Sequence, residues 1–194
     1  GHATLTTVET LVARFPEFDQ NRGIRRSLPA QYQGRTTALE VVSVTDENGE
    51  PRPFEVEDGS GVVDVIAAVP EGEFVRGIQT YVITYTQRDV VDAFDDTGAE
   101  EFYWNLTGTD WAQPFAQVRG RVVLEDGLAE SLIPGALACY RGYAGSTETC
   151  PIERDGEIVS VQADGLLPFQ TATVALGFEP GTFTLFDRSY LASP

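Results

Sequence analysis

The residues with most chemical capacity fall into four groups. The first is an acidic stretch, Asp89, Asp92, Asp95, Asp96, Glu100 and Glu101. Paired carboxylates can hydrolyse a glycoside or hold calcium; the calcium set would be Asp92, Asp95, Asp96 and Glu100, although the spacing is not that of an EF-hand loop. The competing reading is a solvated loop. The second is the run Arg22-Gly23-Ile24-Arg25-Arg26, a basic island in an acidic chain. Arginine forks match carboxylates and phosphates, so Arg22, Arg25 and Arg26 could dock an anionic ligand, or pair internally with the acidic stretch and fix a loop. The third is Tyr103, Trp104 and Asn105, followed by Trp111. Such rings bind sugars when exposed and fill cores when buried. Asn105-Leu106-Thr107 also matches the short glycosylation acceptor pattern.

The fourth is the pair Cys139 and Cys150, the two cysteines of the chain. Glycines and a serine lie between them, so the chain can double back. In an oxidising compartment they would form a disulfide closing a small loop, worth about 3 kcal/mol; two free thiols are the alternative. A zinc site needs four ligands, which two cysteines do not supply alone.

Composition narrows the chemistry further. All 13 basic residues are arginine, which excludes a lysine Schiff base. Gly1-His2 reads as the remnant of a removed tag, so the single histidine is expected to be foreign. A serine or cysteine nucleophile activated by histidine is then not available. There is no phosphate loop and no dinucleotide fingerprint. A net charge of −17 repels nucleic acid and disfavours flat docking on anionic lipid. No apolar run is long enough to span a bilayer. The expectation is therefore a protein with no catalytic residues and no cofactor.

The elements that would position these groups are strands. Val, Thr and aromatic residues dominate Thr4–Phe15, 38–45, 52–57, 61–69, 77–86, 115–124, 157–162, 171–178 and 182–186. Asn48-Gly49 signals a hairpin between two of these segments, and Asp155-Gly156 marks another turn. In 77–86, Tyr81, Ile83 and Tyr85 share one face while Thr80, Val82 and Thr84 share the other. Residues 89–101 or 127–134 could each hold a short helix. With Gly and Pro recurring between short strands, the pattern predicts a single antiparallel β-sandwich domain over residues 1–194, with room for one short helix or an extra hairpin. A boundary near 110–115 is the alternative.

Taken in order, certain segments carry a resemblance. They are Val8-Glu9-Thr10 leading to Phe15, Arg22–Arg26 with Leu28-Pro29, and Gly77 with Tyr81, Val82, Ile83 and Tyr85. Glu101 to Asn105, Thr107-Gly108 and Trp111 follow, then Cys139-Tyr140 with Gly142, Gly145-Ser146 and Cys150, and Phe178-Glu179-Pro180-Gly181. Over nearly the whole chain the sequence resembles the bacterial predicted membrane proteins of domain of unknown function 2207. The resemblance implies an export signal, an ectodomain, then membrane-spanning helices, and a further strand upstream of Thr4. It also favours the disulfide and the extracellular side. It supplies topology and no chemistry. The expected function is a non-catalytic ectodomain of a membrane-anchored envelope protein, binding another protein, an envelope component or its own copies. A glycan-binding module is the alternative, which requires at least one of Trp104, Trp111, Tyr140 and Tyr143 to be exposed beside polar groups, followed by a carboxylate glycosidase.

Overall fold

The computed structural model describes residues 1–125 and 127–185. Its strands group into two compact units, Thr4–Val90 and, with Gly1–Ala3, the described residues from Val91 onward. The division falls ahead of the aromatic-rich 110–115 stretch. Both units are built from antiparallel sheets, so the fold is all-β and of the sandwich type expected.

In the first unit, alternation along the sequence becomes two-sided strands. Its elements are β1 (Thr4–Phe15), β2 (Gly23–Pro29), β3 (Gln31–Tyr32), β4 (Arg35–Thr36), β5 (Glu40–Thr45), β6 (Glu55–Asp58), β7 (Val62–Ala68) and β8 (Gly77–Arg88). One sheet has the order β1-β8-β5, the other β2-β7-β6, and β3 pairs with β4. β1 and β8 run side by side for their full lengths, from Thr4 opposite Arg88 to Phe15 opposite Gly77. As their alternation requires, Tyr81, Ile83 and Tyr85 turn inward together. They pack with Leu28, Val44, Val65 and Ala67 into the core of this unit, flanked by Leu11, Phe15, Ile24, Leu39 and Val41. Gly23 is required by close approach: a Cβ there would lie 1.9 Å from the Ala67 carbonyl oxygen.

The turn at Asn48-Gly49 forms, but the hairpin it closes is short, with Asp46 N–H donating to the Glu50 carbonyl and Thr45 bridged to Pro51. Asp46 accepts the amides of Asn48 and Glu50 through its side chain, and Gly49 takes a positive φ of 85°. Arg52 N–H then donates to the Val44 carbonyl. Beyond that rung the strands part, β5 joining β8 and β6 joining β7. Pro51 and Pro53 have no N–H to continue a ladder.

The second unit contains β9 (Asp92–Phe94), β10 (Ala99–Asn105), β11 (Phe115–Val123), β12 (Leu132–Gly142), β13 (Ile152–Asp155), β14 (Ile158–Leu166) and β15 (Thr171–Phe178). They form the sheets β12-β15-β10-β9 and β11-β14-β13. Val159, Val161 and Ala163 from one sheet, and Val174, Leu176 and Phe178 from the other, are buried. The helix considered at 89–101 is instead the β9–β10 hairpin. That at 127–134 is a single 3₁₀ turn, Leu128–Ser131. Residues 182–185 form no strand, and residue 186 lies outside the described residues.

One carboxylate couples the first unit to pH. Asp64, on β7, accepts the Ser27 hydroxyl and two N–H groups of Arg25, at 3.1 and 2.8 Å. The Ser27 hydrogen bond, then Arg25, holds its carboxyl below the usual carboxylate range. A depressed folded value means that the stabilisation is present above the unfolded pKa of about 3.9 and is lost as pH falls through the folded one. Asp64→Asn should therefore flatten the acid limb of a melting-temperature profile taken between about pH 2 and 7. An unchanged slope would remove Asp64 from that role.

Candidate functional site

The arginine run is a strand, not a loop, and its charges are used inside the first unit. Alternation along β2 sends Arg26 inward, where it is 2 % exposed, and Arg25 outward. Arg26 donates through Nε and Nη2 to the two oxygens of Glu9, both at 2.8 Å, and through Nη1 to the Ser27 carbonyl. Tyr85 donates its hydroxyl to the same carboxylate at 2.7 Å. Burial, and then the Glu9 charge, pushes the Tyr85 phenol well above its ordinary value. Arg25 bridges Asp64 and Glu57 on the outer face, and Arg22 caps the ladder by donating to the Val69 carbonyl. The internal reading of these arginines holds in kind, but their partners are Glu9, Asp64 and Glu57 rather than the acidic stretch.

The acidic stretch does not gather as a group, although Asp92 and Glu101 stand opposite each other in the β9–β10 hairpin. Asp92 is buried and accepts the Ala93 amide. Asp95 and Asp96 are exposed in the β9–β10 turn. Glu100 is buried, with its oxygens taken by the amides of Gly181 and Phe183 at 2.6 and 2.8 Å. Glu101 accepts the Thr97 hydroxyl. Among the described residues no three acids, histidines or cysteines group in a way that could hold a metal ion.

The aromatic segment divides by parity along β10. Trp104 is buried and stacks on Phe102, with ring centroids 5.5 Å apart, so it belongs to the core of the second unit. Tyr103 faces outward and is 46 % exposed. Trp111 is half-buried, edge-on to Phe115, and its carbonyl accepts the Phe169 amide. Asn105 is committed to structure: its Oδ1 accepts the Gly108 amide and the Thr171 hydroxyl. Thr107, the third residue of the acceptor pattern, is buried against Thr171.

Tyr103 and Asn105 open onto a cleft of about 170 Å³. Its far wall is Tyr140, Arg141, Tyr143 and Ser146, with Thr171 and Thr173 from β15 in the floor. Cys139 and Cys150 are disulfide-bonded and buried, and they close the loop that carries this wall. Inside it, Cys150 N–H donates to the Cys139 carbonyl, Arg141 N–H to the Glu148 carbonyl and Ser146 N–H to the Tyr143 carbonyl. Gly142 is held at a φ of 119°, and a Cβ there would meet Ser146 Oγ at 2.7 Å. The loop thus ends in a fixed tight turn with the Tyr143 ring exposed at its tip. The Arg141 side chain lies 3.5 Å from Glu148 across the loop. The sequence marked this wall by its bounding cysteines and by Tyr140 and Tyr143 as glycan-contact candidates, while Arg141 and Ser146 carry no pattern of their own.

A family model described as the N-terminal domain of a predicted membrane protein (DUF2207) matches residues 2–177. No curated protein and no solved structure matches the chain. Among the described residues no helix is long and apolar enough to cross a membrane.

The two adjacent arginines should separate cleanly under mutation. Arg26→Ala leaves the mostly buried Glu9 carboxylate without its cation, with Tyr85 still bonded to it, which costs about 3 kcal/mol. Arg25→Ala removes an exposed bridge worth about 1 kcal/mol or less. Urea unfolding of both variants measures the difference, and equal losses would contradict the burial assigned to Arg26.

Proposed function

Because the chain belongs to the N-terminal domain family of the DUF2207 predicted membrane proteins, we propose that it serves such a protein as a non-catalytic contact domain on the extracellular side. A disulfide persists in an oxidising compartment, and the buried Cys139–Cys150 bond supports that placement. The observation that carries the reading is the cleft: a cross-linked loop holds Tyr143 and Tyr140 opposite Tyr103 on β10. Exposed tyrosines on a rigid frame give large contact area at small entropic cost. Of the segments that could make contact, the arginine run is spent internally and Trp104 fills a core, which leaves the Tyr103–Tyr143 cleft as the contact surface. The partner class is a protein or other envelope component.

A second reading is favoured by the lining itself. Tyrosine rings beside Asn105, Arg141, Ser146 and Thr173 offer both the apolar face and the hydrogen-bonding groups that a sugar ring requires. The cleft would then take a cell-wall glycan.

Both readings make the cleft necessary and differ in the ligand. Tyr143→Ala and Tyr103→Ala should each weaken capture of the natural partner from the native membrane fraction about tenfold or more, as expected for a central aromatic contact. Their melting temperatures should stay close to that of the wild type, because both rings are exposed. Heat on titrating soluble cell-wall glycan into the wild type, absent with the Tyr143 variant, selects the glycan reading. Unimpaired capture by both variants, with no glycan heat, would end the proposal.

A further inference from the structure

Among the described residues, the first unit leaves one long sheet edge open. β1 pairs with β8 on one side, and among the described residues no backbone hydrogen bond reaches its other side. Burial shows the same. Core-facing residues of β8 such as Tyr81, Ile83 and Tyr85 are fully buried, whereas every core-facing residue of β1 is only partly buried.

Open edges recruit other strands, and proteins protect them with short length, proline, bulges or charge. The other edges of this unit carry such devices. β5 is bulged between Val41 and Ser43. β6 is four residues long and holds Glu55, Glu57 and Asp58. β2 carries Arg25 outward and ends in Pro29. β1 runs for twelve residues without proline or bulge. Its inward charge, Glu9, is already paired with Arg26, and Arg14 stands near one end. Val8 and Val12 lie on its outer face, 61 and 68 % exposed.

We infer that β1 is a pairing edge for a second copy of this chain, the two strands running antiparallel about a two-fold axis at Thr10 and joining two three-stranded sheets into one. The axis position follows from side-chain identity. Residues directly opposite must share a face, so the two symmetric registers with greatest overlap are centred on Glu9 or on Thr10. Centring on Glu9 sets two carboxylates against each other, which is unfavourable. Centring on Thr10 sets Val8 against the partner's Val12 and Thr6 against the partner's Arg14. On the inner face it sets Glu9 against the partner's Leu11 and Leu5 against the partner's Phe15. No like charges meet, and the two exposed valines cover each other twice. The edge lies in the first unit, so this inference stands apart from the cleft and survives its failure.

The test is sedimentation equilibrium of the 194-residue chain from about micromolar to millimolar concentration, with circular dichroism melts to verify folding. The wild type should approach twice the monomer mass. Val8→Glu with Val12→Glu places like charges opposite each other at two symmetric positions and should weaken association about tenfold. Val8→Lys with Val12→Glu places opposite charges there and should restore it. Thr10→Cys should cross-link to its own copy under mild oxidation, and Thr6→Cys, which faces Arg14, should not. A wild type that stays monomeric throughout, or a double-glutamate variant that associates as tightly as the wild type, would overturn the inference. Equal cross-linking by both cysteine variants would overturn the register.

Discussion

A carboxylate taken out of water must be compensated on every side, and Glu9 is. Its two oxygens receive three hydrogen bonds, two from Arg26 and one from Tyr85. These groups stand on β1, β2 and β8, so a single ionic centre ties the two sheets of the first unit together. Its net contribution to stability is modest, because desolvation offsets much of the attraction. Its contribution to register is larger. A slip of one residue in β1 would turn Glu9 to solvent and leave Arg26 buried without its partner. The same slip would expose Leu11 and bury Val12. Pinning β1 in this phase is what presents Val8, Thr10 and Val12 on one outer face.

The second unit solves a different problem, that of holding a short polar loop still. The ten residues between Cys139 and Cys150 contain two glycines and few apolar groups, so burial alone would not order them. The bridge shortens the unfolded loop, backbone rungs from Cys139 to Cys150 and from Arg141 to Glu148 tie its return limb to the end of β12, and a turn bond from Ser146 to Tyr143 closes the tip. Asn105 works from the opposite side, its carbonyl oxygen tying the end of β10 to Thr171 at the start of β15. Cleft shape therefore depends on both a covalent link and a side-chain link.

How much of this could be read beforehand depended on whether polarity and burial agreed. β1 and β8 alternate cleanly, and their faces follow from the sequence, although β8 runs two residues past the expected 86, to Arg88. The buried Arg26 runs against that logic. Two adjacent arginines look like surface, and nothing local says that the second meets a carboxylate seventeen residues earlier. β2 was hidden by the same charges. β12 was hidden by Pro134-Gly135, where its register shifts between Leu132 and Leu137. The turn at Asn48-Gly49 was legible because it is local chemistry. The separation of its strands was not, because it depends on which sheet offers each a partner. Trp104 and Tyr103 are neighbours with opposite fates, set by the parity of β10.

The two surfaces proposed for contact are modest in size, a cleft of about 170 Å³ and one strand edge. In free solution such surfaces give weak binding, because association costs several kcal/mol before any contact is repaid. Anchoring changes that balance. A domain held at a membrane meets its neighbours at an effective concentration set by the tether, which can reach millimolar without any new contact. Strand pairing in the millimolar to micromolar range would then be populated at the tether's concentration, whereas dilute untethered chains, each with a net charge of −17, would stay apart. Weak, register-specific edges and a rigid small cleft are the kind of surfaces that work when the membrane supplies the concentration.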